Sequence, residues 1–117
     1  MNTDFTNLLQ KHIETWGEKD RTQRRKMIES IYSENCYYVD PIDEIIGRDE
    51  MDSLIERIQT QFPGYKFSID SPIDTHHNIA RFAWHLGQDG TTVASGVDVV
   101  MFEGGFIRSM YGFFDKP

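Results

Sequence analysis

The spacing of apolar residues changes once along this sequence, at about Pro63-Gly64. Before that point, apolar side chains recur at every third or fourth position, which predicts amphipathic helices. After it they alternate with polar side chains, which predicts strands with one buried face. Helices followed by strands are typical of an α+β domain, whereas an alternating βαβ chain would interleave the two repeats.

The first repeat predicts three helices. Helix one starts at a cap on Thr3 or Asp4 and closes at Gly17, and helix two starts at about Asp20. Helix three ends at Pro63-Gly64. The apolar positions of the three helices are, in order, Phe5, Leu8, Leu9, Ile13 and Trp16; Met27, Ile28, Ile31 and Tyr32; and Met51, Leu54, Ile55, Ile58 and Phe62.

One short strand, residues 36–39, is predicted between helices two and three, where Asp40-Pro41 stops it. Four longer strands follow at about 65–69, 79–88, 92–102 and 106–114, and Asp89-Gly90 forms a hairpin turn. Strands of this length twist and coil. We therefore expect a curved, mainly antiparallel sheet wrapped around three N-terminal helices, with one internal pocket.

The length of 117 residues predicts a single domain over residues 1–117. The formal charge is −7, and so acidic a surface argues against nucleic-acid binding. The cationic run formed by Arg21, Arg24, Arg25 and Lys26 is interpreted as a solvated helix face. The lone Cys36, the absence of a signal-peptide pattern and the absence of a membrane-spanning stretch predict a cytoplasmic protein with no membrane partner.

Asp98 is a charged residue in the middle of an apolar strand. It shares one face with Ala94, Gly96, Val100 and Phe102. If that face is inward, burial raises the pKa of Asp98, and Gly96 would leave space for a ligand beside it. The opposite face is equally apolar, so the pattern alone also allows a solvated Asp98.

Two further residues are candidates for chemistry. Asp40 ends a strand and can serve as a general base, although an ordinary Asp-Pro turn explains it as well. His12 lies on the apolar stripe of helix one, where a buried imidazole needs a partner such as an acid across the pocket. A satisfied core histidine is the alternative.

A metal site is not expected. His76 and His77 would point to opposite faces of a regular strand, and neither they nor His85 show a ligand spacing. Cys36 has no base at a spacing that would activate it as a nucleophile. Phosphate-binding and dinucleotide-binding fingerprints are missing, so we expect no cofactor.

Four short motifs together resemble a known family. They are residues 31–35 (IYSEN), 38–41 (YVDP), 47–49 (GRD) and 96–102 (GVDVVMF). Their order and spacing are similar to those of the SnoaL-like polyketide cyclase and ketosteroid isomerase branch of the nuclear-transport-factor-2-like (NTF2-like) superfamily. The resemblance extends from about Phe5 to Phe114 and implies a cone-shaped α+β domain with one pocket.

The resemblance also implies roles for individual residues. Asp40 matches the isomerase's general base, and Asp98 matches the protonated acid of its oxyanion hole. His12 stands where the isomerase has an oxyanion tyrosine, and Ile55 stands where a second tyrosine is expected, so steroid isomerase activity is not implied. The candidate ligand-binding residues are Trp16, Tyr32, Leu54, Phe82, Trp84, Met110, Gly112 and Phe114.

Three functions remain open at this stage. The first is a cofactor-independent isomerase or cyclase type of enzyme acting on an apolar carbonyl compound smaller than a steroid. The others are a non-catalytic binder of a small apolar ligand and a dimeric adaptor domain. If Asp98 is inward, Val93, Val97, Val99 and Met101 face outward, which predicts a homodimer through the outer sheet face.

Overall fold

The computed structural model describes residues 3–70 and 72–115. Its helices are α1 (Thr3–Gly17), α2 (Arg21–Ile31) and α3 (Arg48–Gln61). The predicted ends at Gly17 and Asp20 are confirmed, and Asp20 caps α2 by accepting from the backbone N–H groups of Thr22 and Gln23. The capping side chains of Thr3 and Asp4 lie outside the described residues. In the described part of the chain, no helix is long and apolar enough to cross a membrane.

The assignment of Tyr32 to helix two was wrong. The helix ends at Ile31, and Tyr32 adopts an extended conformation as the first residue of a strand. The guanidinium of Arg48 donates to the backbone carbonyl of Tyr32 from two nitrogens, at 2.8 and 3.0 Å. This long-range contact stabilises the change from helix to strand, and local spacing does not reveal it.

The described residues form one sheet of seven strands. They are β1 (Tyr32–Val39), β2 (Glu44–Ile46), β3 (Lys66–Ile69), β4 (Asp74–His76), β5 (Ile79–Gln88), β6 (Thr91–Glu103) and β7 (Phe106–Phe114). The order along the sheet is β2-β1-β7-β6-β5-β3, with β4 also paired to β5. Only the β1–β7 pair is parallel. The predicted curved α+β fold is confirmed, but β2 and β4 were missed because three residues are too short for a periodicity signal.

The inner face of the sheet packs on the helices. Along β6 the residues on this face are Ala94, Gly96, Asp98, Val100 and Phe102, and the even-numbered residues of β5 lie beside them. Phe5 of α1 stacks on Phe102 with ring centroids 3.9 Å apart. Asp98 is therefore on the inner side, which resolves the ambiguity that alternation alone could not.

The interpretation of Arg24 as part of a solvated face was wrong. Its side chain is only 1% exposed. The guanidinium contacts Asp52 at 2.6 Å and Glu56 at 3.0 Å on α3, and it donates to the carbonyl of Glu18. Arg24 thus ties α2 to α3 and to the α1–α2 loop, as a buried charge must be paired.

The outer face of the sheet is apolar around β6 and β7. Val93 and Phe113 are 43% and 61% exposed. Two polar side chains on this side are paired within the chain, Arg81 with Asp74 and His85 with Asp70. A homodimer through this face stays a prediction, and sedimentation at micromolar concentration would test it by finding dimer or monomer.

Candidate active site

An apolar cavity of about 250 Å³ lies between the helices and the open end of the curled sheet. Its walls come from helices α1 and α3 and from strands β1, β3, β5, β6 and β7, with loop residues between them. The lining residues are His12, Ile13, Trp16, Tyr38, Asp40, Ile42, Leu54, Ile58, Gln61, Phe62, Phe67, Phe82, Trp84, Leu86, Ala94, Asp98 and Phe114. Its mouth is marked by the exposed side chains of Ile42, Gln61 and Phe114. The cavity is thus an aromatic chamber with three titratable groups of catalytic type, His12, Asp40 and Asp98.

Asp98 faces this cavity from β6, where its register partners are Phe82 on β5 and Gly112 on β7. Burial raises the pKa of its carboxyl to about 7. The Trp84 indole opposes that rise, and the charge of Asp40 adds to it. Near neutral pH the carboxyl is therefore divided between its acid form, which can donate a hydrogen bond, and its charged form.

The space beside Asp98 is not where the sequence placed it. A Cβ on Gly96 would lie 1.9 Å from the backbone oxygen of Phe113 and 2.9 Å from the Trp84 ring. The space that a side chain at Gly96 would need is therefore occupied by the sheet itself, and no room for a ligand is left there. Trp84 Nε1 is buried and has no hydrogen-bond partner among the described residues. Its N–H nevertheless favours the charged form of Asp98 and so lowers the pKa of that carboxyl.

Asp40 combines the turn and the cavity roles that the sequence left as alternatives. Its Oδ1 accepts hydrogen bonds of 2.8 Å from the backbone N–H groups of Ile42 and Asp43, which form the turn before β2. Its Oδ2 accepts from the Tyr38 hydroxyl at 2.6 Å. Burial and the neighbouring Asp40 carboxyl raise the pKa of Tyr38 well above its usual range, so the phenol keeps its hydrogen. Oδ2 is the oxygen left for chemistry in the cavity.

Gly112 brings the two acids close together. A Cβ on this glycine would lie 3.0 Å from Asp98 Oδ1 and 3.2 Å from Asp40 Cβ. The two acidic side chains therefore lie on either side of a gap that one methyl group would occupy. This close approach explains why the charge of Asp40 contributes to the raised pKa of Asp98.

We expect Gly112→Ala to disturb the acids without unfolding the protein. The added methyl would press on Asp98 Oδ1 and on the Asp40 side chain, at a cost of about 1–2 kcal/mol in the free energy of unfolding. Urea unfolding measures this change. A variant as stable as the wild type would contradict the expected loss and show that the Asp98 carboxyl turns aside at no cost.

His12 lies on α1 and is nearly fully buried. Its partner is the hydroxyl of Tyr32, 2.5 Å from Nδ1, so of the two alternatives the buried, hydrogen-bonded histidine holds and the acid partner does not. Trp16 Nε1 donates to the same hydroxyl at 3.0 Å. Burial lowers the pKa of His12 to about 3, so the imidazole is neutral near pH 7.

The structure brings together most of the predicted site residues. Asp40, Asp98, His12, Trp16, Leu54, Phe82, Trp84 and Phe114 line the cavity. Tyr32, Met110 and Gly112 do not: Tyr32 supports His12, Met110 lies in the core, and Gly112 separates the acids.

Several cavity residues were missed. Tyr38 shares a strand face with Cys36 and Asp40, so alternation back from Asp40 would have found it. The other missed residues are Ile13, Ile42, Ile58, Gln61, Phe62, Phe67, Leu86 and Ala94. No residue-level pattern marks the apolar ones, because apolar cavity walls and apolar core share one composition, and Gln61 is one of many exposed polar helix residues.

His76 and His77 do not both lie in a regular strand, which the prediction against metal binding assumed. His77 instead lies in a turn with φ of 53°, and the two Nδ1 atoms are 3.0 Å apart. Within the described ranges, no group of three or more metal-ligating side chains surrounds them. The two histidines are exposed and do not line the aromatic cavity.

A helical layer enclosed by a curved sheet with one lined cavity defines the cystatin-like, NTF2-like class of α+β domains. The sequence matches the SnoaL-like domain family over residues 9–110, and the chain belongs to that family. The predicted resemblance is thereby confirmed at the level of the family. No curated protein matches this sequence.

Three solved structures illustrate the relationship. A proposed isomerase of the SnoaL-like family from Agrobacterium tumefaciens is 35% identical, with a TM-score of 0.90 over 97% of this chain and 99% of that one. A proposed SnoaL-like polyketide cyclase from Jannaschia sp. is 13% identical, with a TM-score of 0.79 over 97% and 86%. A proposed ketosteroid isomerase from Kribbella flavida is 16% identical, with a TM-score of 0.70 over 95% and 77%. The last two share the fold alone.

Proposed function

We propose that this protein is a cofactor-independent enzyme of the isomerase or cyclase type, which moves a proton on a small apolar carbonyl compound. The observation that carries the proposal is the pair of acids on either side of Gly112, set in an apolar cavity. Asp40 acts as the general base through Oδ2. Asp98 in its acid form donates to the substrate oxygen, together with His12.

The two acids are suited to different tasks. Asp40 accepts three hydrogen bonds, from the Tyr38 hydroxyl and from two backbone N–H groups, as an ionised carboxylate does. Burial raises the pKa of Asp98 to about 7, so near neutral pH a fraction of the molecules carries a hydrogen on this carboxyl. Environments that separate two carboxyl groups in this way are typical of acid–base pairs.

The cavity also restricts the substrate. Among its described lining residues there is no lysine or arginine to neutralise an anionic group, and the acids would repel one. A volume of about 250 Å³ exceeds the roughly 150 Å³ that accommodates benzene, but it is below the usual range for drug-sized ligands. We infer an uncharged substrate with one ring or a short chain.

A titration with substituted phenols tests this function, because a bound phenolate resembles an enolate. Trp16 and Trp84, the only tryptophans, both line the cavity and report binding by fluorescence. We expect Asp98→Leu to weaken binding about 10- to 100-fold, since a hydrogen bond to the oxyanion is lost. Asp40→Asn should tighten it about tenfold, since a like charge is removed.

Asp74→Asn is the matched control, because it removes one negative charge from an outer strand with a 63% exposed side chain. The affinity of this variant for phenols should equal that of the wild type. If no variant binds any phenol, the oxyanion site is refuted. If Asp98→Leu binds as well as the wild type, Asp98 is not the donor.

A non-catalytic binder of a small apolar ligand is the second candidate. The observation in its favour is that three donors within the chain bind the Asp40 carboxylate, which suits a purely structural role. This function predicts that Asp40→Asn leaves phenol affinity unchanged, whereas the enzyme predicts that it rises.

A further inference from the structure

The imidazole of His12 is held by a chain of two hydrogen bonds that begins at Trp16. Trp16 Nε1 lies 3.0 Å from the Tyr32 hydroxyl oxygen, and that oxygen lies 2.5 Å from His12 Nδ1. All three side chains are buried. Water therefore has little access to the chain, and each hydrogen in it must be accounted for.

The direction of the second hydrogen bond follows from the first. An indole N–H can only donate, so the Tyr32 oxygen accepts from Trp16. The Tyr32 hydrogen then needs an acceptor, and His12 Nδ1 is the one in reach among the described residues. A hydrogen on Nδ1 would instead leave the buried Tyr32 O–H unpaired, which folded proteins avoid. Nδ1 is therefore the acceptor.

If Nδ1 is an acceptor, the protonation of the other ring nitrogen, Nε2, is also determined. A neutral imidazole carries one hydrogen, which must then be on Nε2. Nε2 has no hydrogen-bond partner among the described residues. It is also not one of the fully enclosed polar atoms without a partner, which are Trp84 Nε1 and Ser109 Oγ, so Nε2 is not sealed inside the protein. Since His12 lines the cavity, its Nε2–H is open to a ligand there.

We propose that Tyr32 and Trp16 are positioning residues that fix the His12 tautomer, so that His12 is a permanent Nε2–H donor toward the cavity. This site accepts a carbonyl or phenolate oxygen and disfavours an ammonium group, which has no acceptor to offer. The ligand part of the inference rests on the proposed function of the cavity. The tautomer itself can be read without a ligand.

The first measurement is a long-range ¹H–¹⁵N correlation spectrum of the labelled protein at pH 7. The signals of His12 are those that disappear in His12→Gln, which separates them from the other three histidines. We expect a hydrogen on Nε2 and none on Nδ1. In Tyr32→Phe, Nδ1 loses its donor, and a mixture of tautomers should appear. A hydrogen on Nδ1 in the wild type would overturn the assignment.

The second measurement compares two substitutions of His12 in the phenol titration. Gln offers an N–H near the Nε2 position, whereas Leu offers none. We expect His12→Gln to stay within a few-fold of wild-type affinity and His12→Leu to bind about tenfold more weakly. Equal affinities would overturn the donor role. An Nε2 hydrogen without phenol binding in any variant would refute the proposed function and the ligand selection but leave the tautomer standing.

Discussion

Gly96→Ala is expected to reduce the free energy of unfolding by about 3–5 kcal/mol, a large share of the stability of a domain this size. The new methyl would lie 1.9 Å from the backbone oxygen of Phe113. The obstacle is the main chain of β7, which cannot rotate away as a side chain can. The strand must shift, and its pairing with β6 from Gly96 to Phe102 would be disturbed. Urea or thermal unfolding measures the loss.

Gly17→Ala is the matched control for Gly96→Ala. It adds the same methyl at the last residue of α1, where nothing lies within 4 Å of the new atom. Its stability should stay within about 1 kcal/mol of the wild type. If Gly96→Ala is equally harmless, the sheet does not coil over Gly96 as described.

Asp98→Asn is expected to change how stability depends on pH. Burial raises the pKa of Asp98 in the folded protein to about 7 from its ordinary value of 3.8. Between these two values the unfolded chain releases this proton while the folded protein keeps it. Rising pH therefore favours unfolding, and the effect saturates above pH 7.

The asparagine variant has no carboxyl to ionise at this position, so it does not lose stability through the ionisation of residue 98 as the pH rises. Relative to Asp98→Asn, the wild type should lose about 2–4 kcal/mol of stability between pH 4 and pH 8. Solvent at the cavity wall screens Asp98, which is only partly enclosed, and this limits the loss of stability. Denaturant unfolding at several pH values gives the difference, and Asp74→Asn controls for the loss of an acid. Parallel curves for the wild type and Asp98→Asn would show that Asp98 ionises normally.

The helices and long strands could be predicted because each carries its own repeat of apolar residues. Helix α3, for example, has Met51, Leu54 and Ile55 on its buried face, as the spacing indicated. Tyr32 was misplaced because it continues the helical spacing, while its actual conformation depends on Arg48. Sequence periodicity reports which side of an element is buried, and it reports the end of that element less well.

The candidate site was only partly predictable. Asp40, Asp98 and His12 attracted attention because each is polar within an apolar pattern, and all three line one cavity. Two of their partnerships were not predictable: Tyr32 for His12, and the approach of Asp40 and Asp98 across Gly112. Each partnership joins side chains whose distance depends on the curl of the sheet or the packing of α1.

The sequence by itself determined the order of helices and strands, the alternation of faces along β6 and the family, because these are recorded in local spacing and short motifs. Only the tertiary structure decided that Asp98 faces inward, since both faces of β6 are apolar and alternation is symmetric between them. It also decided that Gly96 is filled by β7 and that His12 is bonded to Tyr32. Those outcomes depend on how the sheet coils around α1, which is a property of the whole chain.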